Sequence, residues 1–278
     1  MIDIHNHLLH GLDDGAQTLE ESIEMCRISW NDGVRIIVAT PHTFNFLYDN
    51  SRSIVITKVQ ELNAILPDKM FKDAISRSQF HLETQRQRPY NPGPEFYPSP
   101  KVHNLKIIPG ADVHFSEEVL SERSRDKITT IADGGKFLLI EFPSWGIPFQ
   151  AETVLFELLV RGITPIISHP ERNLEIIRSH KKYINMVQMG CLGQITAASL
   201  MGEFGRDARR AAENLLRKKL VHVIASDAHS ANGRSLVLSD AVRAAGIIVG
   251  DEEARKLVNE YPQAIIEGQR PKVPEPRL

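Results

Sequence analysis

Short apolar runs alternate with segments of helical period along this chain, and that alternation limits the possible folds more than any other feature. Most of the runs are nearly continuous in hydrophobic residues, which is typical of strands buried on both faces of a parallel sheet. The runs cover residues 2–7, 34–40, 105–113, 136–142, 163–168, 191–197 and 221–226. They predict an α/β fold built on a parallel sheet.

Helix signals lie between the runs. Thr18 followed by Glu21 forms a capping-box pattern at the start of residues 19–32, and Gly33 is suited to end that helix. Helical period also marks residues 150–161, 174–189, 204–219 and 251–260. At 278 residues, the repeated strand-helix unit suits a closed barrel, with an open doubly wound sheet as the alternative. Both folds place functional residues at the carboxyl ends of the strands.

One polar, proline-rich stretch interrupts the alternation. Residues 76–101 have no sustained period and predict a long surface excursion, either a flexible loop or a lid or partner-binding arm. Residues 1–270 are otherwise expected to form a single domain. The tail at residues 271–278 is expected to fray.

Charge and cysteine content exclude several classes of protein. The 33 Lys and Arg residues are balanced by 35 Asp and Glu, so the basic excess needed for binding nucleic acid or an anionic membrane is missing. No apolar run approaches the roughly 20 residues of a membrane span, and the first residues do not resemble a signal peptide. Two cysteines, Cys26 and Cys191, cannot form a disulfide framework and fit a reducing compartment. We therefore expect a cytoplasmic protein without a nucleic-acid partner.

Histidines and carboxylates gather where the apolar runs end. His5 and His7 are two residues apart on a strand, so both rings lie on one face and can meet one metal ion. Asp227 and His229 repeat this spacing after the last run. The full set of candidate ligands is His5, His7, Asp14, His42, Asp112, Glu141, His169, Asp227 and His229. Each alone could be a hydrogen-bonded polar group, but burying all of them at one rim would be unfavourable without a cation.

The donor set indicates the kind of metal site. Imidazole and carboxylate without thiolate suit zinc, manganese or iron. Nine ligands exceed the roughly four to six that one ion uses, so two or three ions are expected, with Asp112 available to bridge. Clustered divalent ions are well suited to hydrolysing phosphate esters. Arg172 and Arg234 follow His169 and His229 closely, and a guanidinium grips phosphate oxygens at two points.

Other phosphate chemistries find no support in the sequence. A thiolate phosphatase would need an arginine six positions after its cysteine, where this chain has Asp32 and Ala197. The glycine-rich phosphate loops of nucleotide-binding proteins are missing as well.

Six segments together resemble a known superfamily. DIHNH, ATPH, GADV, LIEF, SHPER and ASDAH, in that order, are similar to the signature segments of the PHP (polymerase and histidinol phosphatase) metal hydrolases. More narrowly, MIDIHNHLLHGLDDGAQTLEES, GVRIIVATPH and LVHVIASDAHSANGR resemble the CpsB/YwqE group of bacterial protein-tyrosine phosphatases linked to capsule and exopolysaccharide synthesis. The resemblance covers about residues 1–65 and 105–270.

The resemblance implies the PHP fold, a distorted (β/α)7 TIM-like barrel, with three divalent ions that are often manganese. One ion would be held by His5, His7 and Asp227, and shared through Asp112. A second would be held by Glu141 and His169, again with Asp112. The third would be held by Asp14, His42 and His229.

The resemblance also assigns the catalytic residues and the substrate. Arg172 and Arg234 match the arginines that contact the substrate phosphate, and Asp227 joins them as a catalytic residue. The substrate would be phosphotyrosine in the tyrosine-rich tail of a bacterial tyrosine kinase that controls polysaccharide export. No particular oligomeric state is predicted.

One position departs from the family pattern. The bridging residue is usually glutamate in a GAE motif, whereas this chain has Asp112 in GADV. Aspartate is one methylene shorter, so the bridge requires a small backbone shift or is weakened. Within enzymes, the alternatives are a small-molecule phosphatase such as histidinol-phosphate phosphatase and a nucleic-acid phosphoesterase, which the charge balance disfavours. Asp112 and the insertion at residues 76–101 motivate a third alternative, a metal-binding interaction module that has lost catalysis.

Overall fold

The computed structural model describes residues 1–45, 47–77, 105–121, 124, 127–232 and 237–277. Its strands are all parallel, and they are β1 (Ile2–Asn6), β2 (Ile36–Ala39), β3 (His42–Thr43), β4 (Lys106–Pro109), β5 (Asp112–His114), β6 (Phe137–Glu141), β7 (Thr164–Ser168), β8 (Leu192–Thr196) and β9 (Val223–Ala225). Its helices are α1 (Leu19–Asn31), α2 (Arg52–Arg77), α3 (Ala151–Val160), α4 (Leu174–Arg178), α5 (Lys181–Met189), α6 (Ala197–Met201), α7 (Gly205–Arg217), α8 (Ser239–Val249), α9 (Asp251–Lys256) and α10 (Glu260–Ile266).

The strands follow chain order around a ring. One sheet has the order β1-β2-β4, and the other has the order β3-β5-β6-β7-β8-β9. Two residues separate β2 from β3, and two separate β4 from β5, so each pair is one bent strand that takes part in both sheets. The strand segments therefore correspond to the seven apolar runs of the sequence.

The first and last strands meet at a seam. No strand ladder joins β9 to β1 among the described residues, but Asn6 forms an isolated parallel bridge with Ala228. Around it, Asp227 N donates to His5 O at 2.8 Å, and His7 N donates to Ala228 O at 2.9 Å. In a doubly wound sheet the first strand would lie in the interior of the sheet rather than beside the last one. The expected α/β barrel is confirmed, in a distorted form.

Apolar side chains fill the ring and cover its outside. The interior cluster takes side chains from successive strands, including Ile4, Leu139, Ile166 and Val223. A larger cluster packs the outer faces of the strands against the helices, with Tyr183 of α5 fully buried within it. Fully burying a valine, leucine or isoleucine side chain of such a cluster stabilises the fold by about 1.5–3 kcal/mol. The carboxyl end of the ring is left to polar residues.

Several helix predictions are confirmed and others need correction. Thr18 Oγ1 accepts the Glu21 N–H at 3.2 Å, as the capping pattern predicts. The predicted helix at 174–189 is wrong as one element, because α4 ends at Arg178 and α5 begins at Lys181. The sequence pattern does not predict α2, α6, α8 or α10. For α6 the reason is that four of its five residues are buried, so it shows no amphipathic period.

The sequence predicts no regular structure for two segments, the polar stretch at residues 76–101 and the tail at residues 271–278. Residues 76 and 77 are the last of α2, and the rest of the polar stretch at 76–101 lies outside the described residues. The expectation that the tail frays is wrong for residues 271–277. Pro271 is buried, and Arg277 N donates to Lys218 O at 2.8 Å. Among the described residues, no helix combines the length and apolar character required to cross a membrane.

His222 makes the stability of this fold sensitive to acid. Its Nδ1 accepts the Gly193 N–H at 2.9 Å, and burial lowers the pKa of His222 to about 4. The unfolded chain takes up this proton near pH 6.5 but the folded chain does not, so stability present above pH 6.5 is lost as the pH falls through 4. Between pH 6.5 and pH 4, the free energy of unfolding should fall less for His222→Gln than for wild type. We expect the difference to reach up to about 3 kcal/mol.

Denaturant unfolding at pH 7, 5.5 and 4.5 measures this difference. Glutamine can still accept the Gly193 N–H, so folding at neutral pH is preserved. His180→Gln is the matched comparison: His180 is only partly buried and its pKa is lowered less than that of His222, so this variant should show a smaller effect in the same direction. Equal acid sensitivity of wild type and His222→Gln would contradict the assignment.

Candidate metal centre

The nine predicted ligands all lie at the carboxyl end of the ring. They sit on the strands or in the loops directly after them: His5, His7 and Asp14 from β1, His42 on β3, Asp112 on β5, Glu141 at the end of β6, His169 after β7, and Asp227 and His229 after β9. Six different regions of the chain are thereby brought to one place. Their roles as ligands remain predictions, and the short distances between their side chains support them.

A bulge in β1 aims its two histidines into the ring. Ile2 and Asp3 pair with Ile36 and Ile37, but Asn6 pairs with Ala39, so β1 carries one extra residue. An extra residue reverses the alternation of side chains along a strand. His5 and His7 therefore face the same interior as Ile4, although strict alternation would place them on the opposite face.

Four residues form the deepest part of the cluster. His5 Nε2 lies 3.2 Å from Asp227 Oδ1 and 3.6 Å from Asp112 Oδ2, and His7 Nε2 lies 3.3 Å from Asp227 Oδ1. All four side chains are buried. This is the set that the family resemblance assigns to one ion.

Asp112 also faces a second group of donors. His42 Nδ1 lies 3.3 Å from Asp112 Oδ2 and 3.7 Å from Glu141 Oε2, while Glu141 Oε1 lies 3.4 Å from His169 Nε2. His114 Nδ1 lies 3.6 Å from Glu141 Oε2. Burial and Asp112 raise the pKa of Glu141, but His114 and His169 outweigh them and lower it to about 2. The shorter Asp112 side chain thus lies between the two groups, where a bridging residue would be.

The third group is nearer the surface. Asp14 Oδ1 lies 3.6 Å from both His42 Nε2 and His229 Nε2. In the described part of the chain, three sets of residues each have their donor atoms within 4.8 Å of one another: His7 with Asp14, His42 and His229; His5 with His7 and Asp112; and His42 with Asp112 and Glu141. His7 and His42 each belong to two sets, so the division of the ligands among ions is less sharp than the resemblance implies.

The electrostatics of the cluster favour positive charge at its centre. Burial by itself would raise the pKa of Asp227, but the imidazoles of His5 and His7 outweigh it, and the pKa lies well below its usual range. Burial also opposes a proton on His7, yet the Asp13 and Asp227 carboxylates raise its pKa well above the ordinary value. Protons and metal ions compete for such a site.

Two buried atoms test whether a cation fits. Within the described part of the chain, His42 Nδ1 and Asp112 Oδ2 are buried and have no hydrogen-bond partner. Such atoms are unfavourable unless something satisfies them. Both point into the cluster, and their nitrogen and oxygen lone pairs are donors that a divalent transition metal accepts. The residues present therefore fit a divalent cation.

Orienting hydrogen bonds leave the same nitrogen of three histidines facing the cluster. His7 Nδ1 lies 2.7 Å from Asp13 Oδ2, His5 Nδ1 lies 2.8 Å from Gln194 Oε1, and His229 Nδ1 lies 2.9 Å from the Asp227 carbonyl oxygen. With acceptors at Nδ1, each ring carries its proton there and presents the Nε2 lone pair to the cluster.

Sequence reasoning did not identify Asp13 and Gln194 as functional. Asp13 also accepts the backbone N–H groups of His42 and Gly15, both at 2.9 Å, so it ties the β1 loop to β3. Its position beside Asp14 was the one available signal. Gln194 lies on a strand without predicted ligands, and nothing in its local sequence indicates its contact.

Arg172 adjoins the cluster, as its spacing from His169 predicts. Its Nη1 donates to Asp227 Oδ2 at 2.5 Å, and its guanidinium lies over the Phe204 ring. Arg234 and its neighbours lie outside the described residues. A guanidinium has five N–H donors, so the Arg172 fork has further donors for an anion beside the cluster.

The backbone is strained at two of the predicted ligands. His169 has φ 31° and Asp227 has φ 52°, values in the left-handed region that residues other than glycine rarely adopt. The Arg172 N–H donates to His169 O at 2.9 Å, and the Asp227 N–H donates to His5 O. Strain of this kind costs about 1–3 kcal/mol per residue and concentrates at functional sites.

Neither cysteine can serve as a nucleophile. Cys26 and Cys191 are buried, and burial raises the pKa of each thiol to about 12. A thiolate would be needed for attack on phosphorus. This agrees with the spacing argument from the sequence.

Comparison with known proteins places the chain among capsule-related proteins. It matches the family described as "Capsular polysaccharide synthesis, CpsB/CapC" over residues 1–77 and 98–267. It is 32% identical to the tyrosine-protein phosphatase YwqE of Bacillus subtilis over 242 residues, which cover 87% of this chain and 82% of that protein.

Solved structures give a consistent result. One described under YwqE from B. subtilis and CpsB from Streptococcus pneumoniae, "unique metal-dependent tyrosine phosphatases", matches with a TM-score of 0.83 and 29% identity, covering 100% of this chain and 98% of that one. A β-aspartyl dipeptidase from Fervidobacterium islandicum matches with a TM-score of 0.51 at 16% identity, covering 96% of this chain and 72% of that one, and shares the fold alone.

Asp13 provides a test of the metal centre. We expect Asp13→Asn to weaken Mn²⁺ binding by about 10- to 100-fold, because an amide no longer fixes the tautomer and basicity of His7. Calorimetric titration of metal-free protein measures the affinity. Asp49→Asn, at a side chain that is 65% exposed, is the matched control and should bind as wild type does. Unchanged affinity in a folded Asp13→Asn protein would contradict this role.

Proposed function

The chain belongs to the CpsB/CapC family of capsular polysaccharide synthesis, and from that premise we propose that it is a metal-dependent tyrosine-protein phosphatase. The observation that carries the proposal is the buried cluster of imidazoles and carboxylates with Arg172 at its edge. That combination suits a phosphate ester, whose oxygens need positive charge on several sides.

The metal ligands in this proposal are the nine residues of the cluster. Asp112 would be shared between two ions, because its Oδ2 faces both His5 and His42. We propose two or three divalent ions, with manganese the first choice and iron or zinc also suited to the donors. When bound, divalent ions neutralise phosphoryl charge and lower the pKa of water.

The chain's own residues bind and orient the phosphate. Arg172 would present its guanidinium fork to the phosphoryl oxygens while Asp227 holds one of its N–H groups. Arg234, five residues after His229 in the sequence, is proposed as a second phosphate contact. Asp13 and Gln194 hold the proton of their histidine partners at Nδ1.

The leaving group suits this site. A phenolate has a reference pKa near 10, so it departs without a strong general acid, unlike the alkoxide of a serine or sugar ester. The roles proposed for the residues of the cluster are metal binding and phosphate binding, and none of them is assigned as a general acid. This favours an aryl phosphate over an alkyl phosphate.

The proposed substrate is the phosphorylated, tyrosine-rich tail of a bacterial tyrosine kinase that controls capsule or exopolysaccharide synthesis. The family description supports a capsule role, and the names of the relatives support tyrosine phosphate. We propose that this protein acts in the cytoplasm, because its two free cysteines, Cys26 and Cys191, fit a reducing compartment.

A manganese-dependent assay on phosphotyrosine peptides tests the proposal. We expect activity in wild type, loss on chelation, and recovery on adding Mn²⁺. Asp227→Ala should lower kcat/KM by more than about 100-fold, because it removes a proposed metal ligand. Arg172→Ala and Arg234→Ala should lower it by about 10- to 1,000-fold, because each removes a positive charge that stabilises the phosphoryl group. Arg161→Ala, on the outer surface of the ring, is the matched control and should retain full activity.

Two outcomes would overturn the proposal in different ways. Hydrolysis of histidinol phosphate with phosphotyrosine peptides left untouched would assign a small-molecule phosphatase. Full manganese occupancy without hydrolysis of any aryl phosphate would assign a metal-binding interaction module.

A further inference from the structure

The strand that supplies no predicted ligand instead holds the loop that carries two site residues. β8 ends at Thr196, and its N–H and Oγ1 both donate to Glu171 Oε1, at 2.9 and 3.0 Å. Glu171 is fully buried and lies between His169 and Arg172 in the turn after β7. The connection after β8 is therefore fixed against the turn after β7.

Phe204 makes the second contact between these segments. It lies in the connection from α6 to α7, and the Arg172 Cζ stands 4.4 Å from the centre of its ring. At this distance the positive guanidinium is attracted to the negative face of the ring. Arg172 is thus held on its face by Phe204 and at one edge by Asp227 Oδ2.

The position of Phe204 is itself well defined. Gly202 and Gly205 have φ values of 86° and 88°, so the chain turns tightly on both sides of Phe204 in conformations that suit glycine. Thr196 Oγ1 accepts the Ser199 N–H and so caps α6, which leads into this turn. The ring is a fixed platform rather than a side chain at a loose loop tip.

We propose that Phe204 is a positioning residue that holds the Arg172 guanidinium in the orientation needed to bind the substrate phosphate. An arginine side chain has several rotatable bonds, and fixing it in one orientation before the phosphate arrives reduces the entropy lost on binding. Asp227 fixes one edge of the fork, and Phe204 fixes its plane. This inference rests on the proposed function, because it assumes that Arg172 binds phosphate.

Three variants of Phe204 distinguish the contribution of its aromatic ring from that of its apolar volume. Phe204→Ala removes both, Phe204→Leu keeps apolar volume without the ring, and Phe204→Tyr keeps the ring. We expect the first two to raise the KM for a phosphotyrosine peptide and the Kd for inorganic phosphate by on the order of 3- to 30-fold, with a smaller change in kcat. Phe204→Tyr should restore near wild-type values, and manganese content should be unchanged in all three.

Two comparisons complete the experiment. Phe156→Ala, at a side chain on α3 that is 55% exposed and remote from the cluster in the fold, is the matched control. In an Arg172→Ala background, Phe204→Ala should add little further effect, because Phe204 acts through Arg172.

Defined results would overturn the inference. Wild-type phosphate binding in Phe204→Leu would show that the ring is not needed, and an equal loss from Phe204→Ala with and without Arg172 would show that it acts elsewhere. Calorimetry with inorganic phosphate measures the effect of Phe204 on binding whether or not the protein hydrolyses phosphotyrosine. Failure of wild type to hydrolyse phosphotyrosine would count against the proposed function alone.

Discussion

The seam between the first and last strands determines where the metal centre can form. The buried Asp3 carboxylate accepts the Ser226 N–H at 3.0 Å, the Ser226 hydroxyl at 2.6 Å and the Asn6 amide at 3.1 Å. Burial raises the pKa of Asp3, while these hydrogen bonds oppose the rise. His5 and His7 follow Asp3 on one side, and Asp227 and His229 follow Ser226 on the other. Nearly half of the predicted ligands therefore depend on this one buried carboxylate and its partners for their relative position.

The centre shows how a chain of nearly neutral net charge can bind an anionic substrate. The formal charge of the whole sequence is −2, yet carboxylates are concentrated at one end of the ring. The lowered pKa of Asp227 and the raised pKa of His7 show that these groups compensate one another and attract further positive charge. With divalent cations in place and Arg172 beside them, the surface that meets a phosphate can be positive although the protein is not.

One strand of the ring supplies orienting residues but none of the proposed ligands. β1, β3, β5, β6, β7 and β9 bring the imidazoles and carboxylates together, whereas β8 supplies Gln194 against His5 and Thr196 against Glu171. The connection after β8 also supplies Phe204 against Arg172. A strand without proposed ligands thus orients residues of β1 and of the turn after β7, which explains why its local sequence carries no recognisable motif.

The sequence by itself determined the seven strands, the parallel arrangement and the nine candidate ligands, because these depend on local hydrophobic pattern and on residues that directly follow a strand. It did not determine the bulge in β1 that aims His5 and His7 inward, the break between α4 and α5, or the contacts of Asp13, Gln194 and Phe204. Those features depend on which segments meet after folding. His5 and Gln194 are 189 residues apart, and only the closed ring places their side chains 2.8 Å from each other.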